Sequence, residues 1–288
     1  MADIKIFVDT SADMPEEIRK KYDIGIIRFL TLFGEKSYVS GVDITNEEFY
    51  EKIKNEGIMP TTSQTPYADM FDILKSESEK HDTVIYFTIS SKGSGQNHTA
   101  HMVADEIKEE NPDSDIRIVD SMTYSVYIAS AAVYAAQLRD EGKNADEIIN
   151  GFFEYIKTCE VYLIVGDLKY LQKGGRITKT AAIVGNLLDI KPVLTIRNGL
   201  IEPLDKIRGS KKLIKKIIAL MKDNPNFDED KNEFIVIDSD KEIGNSMIEA
   251  LRDEFGDINI TMYSEFGPIV GTHTGPGCLA LLFKIKGE

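Results

Sequence analysis

Apolar and polar positions alternate between two periods along the chain. Short apolar runs of strand length fall at residues 3–9, 24–32, 84–89 and 115–120, and helical periodicity follows at 46–55, 67–79, 124–141 and 145–158. The run at 84–89 breaks at Ser90-Ser91-Lys92-Gly93-Ser94-Gly95 and resumes as a helical pattern through Met102, Val103 and Ile107. Strand followed by helix, repeated, predicts a doubly wound parallel sheet. Beyond residue 158 the texture changes. Strands at 161–165, 191–196, 200–203, 233–238, 258–263 and 278–285 come more densely than a βα repeat allows, and Asn198-Gly199 signals a hairpin. Residues 178–189 are more apolar than a one-faced helix needs, which suits core packing first and the lining of an apolar cavity second. The fold class expected is therefore α/β, an N-terminal parallel-sheet domain over residues 1–158 followed by an α+β domain over 159–288.

Polar residues gather where the strands end. A strand, a small-residue turn and a helix across 84–100 place hydroxyls and unpaired N–H groups at a helix N-terminus, which favours an anion. The same turn also suits a plain connection capped by Ser94. Asp9-Thr10-Ser11-Ala12-Asp13 ends the first strand at the edge where α/β sheets bind ligands. Asp13 before Met14-Pro15-Glu16 reads as a helix N-cap, while Asp9 and Ser11 stay open. Thr65 before Pro66 reads as another N-cap, which leaves Thr61, Thr62, Ser63 and Gln64 as surplus polar groups in a loop.

Two further candidates lie in the second half. Gly174-Gly175 present Arg176 at a tight bend, where a guanidinium could grip a carboxylate or phosphate, or simply serve as a surface or ion-paired residue. His273 lies between two threonines in a stretch rich in Gly and Pro, residues 267–277, as a donor to a ligand or a loop histidine bonded to backbone.

Charge narrows the partners. A net charge of −14 argues against nucleic acid and anionic membrane surfaces, so an anion would need a local pocket. Lys206, Arg208, Lys211, Lys212, Lys215 and Lys216 form a basic cluster, a solvated helix face or a dock for an acidic partner. Cys159 and Cys278 cannot build a disulfide framework and suit a reducing, cytoplasmic setting. The four histidines and two cysteines show no metal-ligand spacing, and no apolar run reaches the ~18 residues of a membrane span. There is no Walker loop, kinase signature or triad spacing, so the chain is not expected to be an enzyme.

Taken in order, seven short motifs resemble the DegV family, whose members include the fatty-acid-binding subunits of bacterial fatty acid kinase. They are Asp9-Thr10-Ser11-Ala12-Asp13, Thr62-Ser63-Gln64, residues 89–95, residues 168–177, Lys191-Pro192, Arg208-Gly209 and residues 271–277. The resemblance implies two domains with an acyl chain in a tunnel between them and its carboxylate held by hydroxyls. It implies that Thr62 and Ser94 bind the carboxylate directly, that Ser63 and the Gly95 N–H support them, and that His273 acts nearby through a hydroxyl or water. Arg176 matches an arginine tied to kinase engagement or phosphate handling. Gly93 stands where the family usually has leucine, and Gln96-Asn97 where it usually has Thr-Tyr, which opens the wall there to more space or more polarity.

The function implied is that of a cytoplasmic bacterial lipid-binding protein in phospholipid metabolism, which presents a fatty acid to the ATP-binding subunit of a fatty acid kinase for conversion to acyl phosphate. It needs no cofactor and no metal; its ligand is a long-chain fatty acid, and its membrane contact is at most transient. The alternative is a hydrolase or transferase acting on a small phosphate or carboxylate ester, with Ser94 as nucleophile and His273 as general acid/base.

Overall fold

A computed structural model of the chain describes residues 2–177, 190–208 and 213–286. The helix expected at 178–189, and Gly209, Lys211 and Lys212, lie outside the described residues. The chain forms two compact units, one of Met1–Tyr155 with Gly267–Val270, the other of Ile156–Phe266 with Gly271–Glu288.

The first unit is built on a parallel sheet in the order β2-β1-β6-β7, formed by Ile24–Ile27, Ile4–Asp9, Thr83–Thr88 and Ile116–Asp120. Every residue of β6 is buried, as a central strand covered on both faces requires. On one face, Met70 and Leu74 of helix Tyr67–Ser78 and Ala100, Val103 and Ile107 of helix Gln96–Glu110 pack on Phe7, Val84 and Tyr86. Phe87 and Phe152 stack with ring centroids 4.0 Å apart. Truncating one such buried side chain to alanine costs about 2–5 kcal/mol.

The apolar run at 24–32 makes two strands rather than one. β2 ends at Ile27, and β3, Leu30–Phe33, belongs to a separate antiparallel sheet in the order β4-β3-β5, with Lys36–Val39 and Thr61–Ser63. The break falls at Arg28 and Phe29, where side chains take the Arg28 carbonyl and the Phe29 N–H. Thr65 Oγ1 donates to the Arg28 carbonyl at 2.9 Å, and the Phe29 N–H donates to Thr10 Oγ1 at 3.1 Å.

The second unit holds a six-stranded mixed sheet in the order β10-β9-β8-β13-β11-β12. Its strands are β8 Cys159–Ile164, β9 Ile190–Arg197, β10 Leu200–Arg208, β11 Glu233–Asp238, β12 Asn259–Glu265 and β13 Leu279–Lys284. β11 and β12 run parallel, and the other pairs are antiparallel. Asn198 and Gly199, at φ 50° and 76°, close the β9–β10 hairpin as a two-residue turn with both residues left-handed. Helices Leu213–Lys222 and Lys241–Phe255 bury Ile217, Ile218, Met221, Met247 and Leu251 against Tyr162, Phe234, Val236 and Phe283.

The glycine-rich stretch near the C-terminus, expected as a loop, contains a short helix, Pro268–Thr274. Proline suits its first position, where no N–H is needed. Gly275, at φ 72°, ends it, and its N–H donates back to the Gly271 carbonyl at 2.8 Å.

Candidate functional site

In the first unit the chain runs from β1 to β2 on one side and later places β6 on the other side of β1. That reversal makes the carboxyl edge between β1 and β6 the place where α/β sheets open a crevice for ligands. Three loops meet this edge: residues 10–13 after β1, 89–95 after β6 and 121–125 after β7.

Buried carboxylates tie these loops together. Asp9 accepts from the Ser11 N–H at 3.0 Å, the Ile89 N–H at 2.9 Å and Tyr86 Oη at 3.3 Å, with Ser11 Oγ as a further donor. Burial raises its pKa to about 6 against the lowering effect of these bonds. Asp13 accepts from Ser125 Oγ and from the Gly267 N–H at 2.9 Å. Burial, with a smaller contribution from the charge of Asp9, raises its pKa to about 7. Asp13 is therefore not the helix cap its local sequence predicts: helix Glu16–Lys21 has Pro15 at its cap position, with no side-chain cap bond. Asp13 itself is left-handed at φ 50°.

Ser94 sits at the end of a tight turn in which the Gly93 and Ser94 N–H groups donate to the Ser90 carbonyl at 3.0 and 3.2 Å. Its Oγ accepts from the Gln96 N–H at 3.2 Å, so the hydroxyl does serve the helix start. As acceptor in that bond, the half-buried hydroxyl keeps its own proton for another partner. Gly95 is exposed at the N-cap of the 15-residue helix Gln96–Glu110, whose first turn carries no acidic residue.

Thr62 and Ser63 lie on β5 rather than in a loop; Thr62, half-buried, stands opposite Thr31 of β3. Ser63 is exposed, and its Oγ donates to the Gln64 carbonyl at 3.3 Å. Side-chain bonds draw this segment to the Ser94 turn. Gln64 Nε2 donates to Thr99 Oγ1 at 2.9 Å, while the Thr65 N–H donates to Gln96 Oε1 at 3.1 Å and Gln96 Nε2 returns to Thr65 Oγ1 at 2.9 Å. Thr65 is thus spent on Gln96 and Arg28, and helix Tyr67–Ser78 has Pro66 at its cap position without a side-chain bond. A Cβ on Gly95 would come 3.0 Å from Gln64 Oε1, a close approach between the two segments.

The two departures at 96–97 point away from an open polar wall. Gln96 is fully buried and also donates to Tyr86 Oη at 2.9 Å, joining Thr65 to Tyr86 and Asp9. Asn97 donates to Thr88 Oγ1 at 3.0 Å.

In the second unit, His273 is half-buried on helix Pro268–Thr274. A Cβ on Gly174 would come 2.3 Å from His273 Nδ1, so glycine there is what lets the imidazole approach the end of helix Lys169–Gly174. Burial, then the positive charge of Arg176, lowers its pKa to about 4. The imidazole is therefore neutral at neutral pH, a hydrogen-bonding group rather than a counter-ion. Arg176 is exposed, just after the left-handed Gly175, and its guanidinium donates to the Gly174 carbonyl.

Asp9, Asp13 and Gln96 contribute to the carboxyl edge in ways sequence reasoning did not assign. Among the described residues no group of three or more His, Cys, Asp or Glu is placed to hold a metal ion, and no helix is long and apolar enough to cross a membrane.

The chain matches the model of the family described as "Uncharacterised protein, DegV family" over residues 3–286. It is 34% identical to a DegV domain-containing protein of Caldanaerobacter subterraneus subsp. tengcongensis, over 99% of this chain and 100% of that one. Among solved structures it is similar to DegV of Bacillus subtilis, described as a fatty acid binding protein, with a TM-score of 0.87 and 29% identity over 99% of this chain and 100% of the other. It is similar also to a stearic acid-binding protein from Eubacterium ventriosum, with a TM-score of 0.86 and 25% identity over 99% and 98% of the two chains.

Proposed function

The chain belongs to the DegV family, and from that membership and the donors at the carboxyl edge we propose that it binds a long-chain fatty acid with the carboxylate on Thr62 and Ser94. The observation that carries the reading is Ser94: its oxygen is engaged by the Gln96 N–H, and its proton is left to donate from a half-buried helix start. A carboxylate accepts only, so a site for it needs donors and nothing else. Ser63 and the Gly95 N–H complete the set. Relatives that bind fatty acids, in Bacillus subtilis and Eubacterium ventriosum, support the ligand class.

The energetics suit the assignment. Each buried methylene of an acyl chain gains about 0.8 kcal/mol, so a dozen carbons supply the affinity and the headgroup donors supply orientation. Native mass spectrometry of protein purified from cells tests this directly. Co-purifying fatty acid, or its uptake by delipidated protein, is the expected result; clean protein that takes up none contradicts the reading.

The finer reading is a carrier that presents its acid to a separate kinase. A carboxylate held by neutral donors keeps its nucleophilicity, so one of its oxygens can attack the γ-phosphorus of ATP on a partner enzyme, forming acyl phosphate with ADP as leaving group. Catalysis then belongs to the partner, and this chain binds and orients. His273, its pKa lowered to about 4, is neutral at pH 7 and takes part only as a neutral hydrogen-bonding group. Arg176, exposed, engages the kinase or the phosphate. With a purified kinase subunit, ATP and acid-loaded protein, hydroxylamine trapping reads acyl phosphate directly. Arg176→Ala is expected to lower that yield while leaving acid binding intact.

A further inference from the structure

Gly93 is the residue immediately before Ser94, and the space a side chain would take there is already filled. A Cβ on Gly93 would lie 2.6 Å from Tyr124 Oη, 2.7 Å from Cε1 and 3.1 Å from Cζ. Contacts this short do not occur for real Cβ atoms, so any larger residue at 93 must displace the phenol. The missing side chain has therefore not opened a void beside Ser94. Its volume belongs to Tyr124.

The loop that carries Tyr124 is held in place from several sides. The Ser121 N–H donates to the Thr88 carbonyl at 3.2 Å, the Met122 N–H to Asp120 Oδ1 at 3.0 Å and the Ser125 N–H to the Ser11 carbonyl at 3.1 Å. The Ser90 N–H, from the turn itself, donates to the Thr123 carbonyl at 3.0 Å. Ser125 Oγ also bonds the buried Asp13. Met122 and Ser125 both have positive φ, 53° and 58°. Non-glycine residues are costly there and persist only where surrounding contacts over-determine them, a pattern that clusters at ligand sites. The net effect of this strained, pinned loop is to set a half-buried phenol against the turn that presents Ser94.

We infer that Gly93 and Tyr124 are a matched pair in which the Tyr124 ring forms the wall next to the ligand's first carbons and excludes acids substituted at carbon 2 or carbon 3. The inference rests on the reading of Ser94 as a carboxylate ligand. A carboxylate on the Ser94 hydroxyl has its adjacent carbons within a few ångströms of the neighbouring residue's surroundings, since consecutive Cα atoms are about 3.8 Å apart. A rigid ring at that point leaves room for CH2 groups and none for a branch.

The test compares straight-chain hexadecanoic acid with 2-methylhexadecanoic acid, titrated into delipidated wild-type protein, Tyr124→Ala and Tyr124→Phe. Wild type and Tyr124→Phe are expected to favour the straight chain by tenfold or more. Tyr124→Ala is expected to reduce that ratio to within about threefold. Gly93→Leu alone should lower the melting temperature, and Gly93→Leu with Tyr124→Ala should recover it and restore discrimination. If Tyr124→Ala does not fold, Tyr124→Leu, which retracts from the turn but keeps the loop apolar, is judged by the same ratio. A ratio that stays at the wild-type value in the shortened variant overturns the matched pair. A wild-type protein that binds neither acid overturns instead the reading on which it rests.

Discussion

The two units bury a carboxylate in opposite ways. In the second, Glu160 on β8 is matched to a cation: Arg197 reaches both of its oxygens with a two-pronged guanidinium, and Thr195 Oγ1 and the Val161 N–H add bonds at 2.7 and 3.1 Å. In the first, Asp9 takes its bonds from Ser11, Ile89 and Tyr86, all of them neutral donors. Burial raises its pKa to about 6 against the lowering effect of those bonds. The carboxyl edge of the parallel sheet thus holds acid groups with hydroxyls and N–H groups, at a cost in ionisation. That is the chemistry proposed for the ligand at the same edge, where a carboxylate without a bound cation stays reactive.

The largest effect that sharpens this contrast is pH-dependent and centres on Asp13. Its pKa in the folded protein, about 7, lies above the ordinary value of 3.8, so the folded state holds the proton more tightly than the unfolded. The stabilisation from that proton is complete below about pH 4 and is lost as pH rises through 7. Asp13→Asn can accept from the Gly267 N–H and donate to Ser125 Oγ, and so imitates the protonated acid. Thermal unfolding across pH 4–8 is expected to show the variant more stable than wild type at pH 8, by up to roughly 4 kcal/mol at about 1.4 kcal/mol per pKa unit, with the gap closing towards pH 4. A gap that does not change with pH removes the claim that burial raises the pKa of Asp13.

Breaking the cation-matched carboxylate comes next. Arg197→Met leaves Glu160 buried and without its guanidinium. Because Arg197 is half exposed, the loss is put at about 2–3 kcal/mol, towards or below the low end for breaking a buried pair. Chemical denaturation reads it, and no loss at all would mean that Thr195 and the Val161 N–H already suffice. The smallest of the three is local to the ligand. Ser94→Ala removes one hydrogen bond to a charged group, worth about 1.5–3 kcal/mol, and is expected to weaken fatty acid binding at least tenfold, with a modest fall in melting temperature from loss of the acceptor for the Gln96 N–H. Unchanged affinity would take Ser94 out of the site.

Much of the frame was legible because its signal is local. The run at 84–89, the small-residue turn after it and the amphipathic pattern through Ile107 announce β6, the Ser94 turn and helix Gln96–Glu110 directly. Asn198-Gly199 announced its hairpin in the same way, since only certain residues fit two left-handed positions. β5 was not legible. Thr61-Thr62-Ser63 has no apolar alternation, and its strand exists because β3 offers an edge. Asp13 was misread for a sharper reason. Asp, then Pro, then Glu is the pattern of a genuine helix start, but the partners that claim its carboxylate lie 112 and 254 residues away. Thr65 failed likewise, its hydroxyl taken by Arg28 and Gln96. Capping patterns describe what a side chain does when nothing distant competes for it. Gly93 marks the same limit, because its meaning lies in Tyr124, 31 positions along the chain.

The claim that neutral donors at the carboxyl edge hold a fatty acid carboxylate is tested most directly by observing that carboxylate. Hexadecanoic acid labelled with carbon-13 at the carboxyl carbon, added to delipidated wild-type protein, is expected to give one sharp bound resonance distinct from free acid. Thr62→Ala with Ser94→Ala is expected to move or broaden it while methyl-end contacts persist. A bound carboxyl resonance identical in wild type and the double variant would contradict the account.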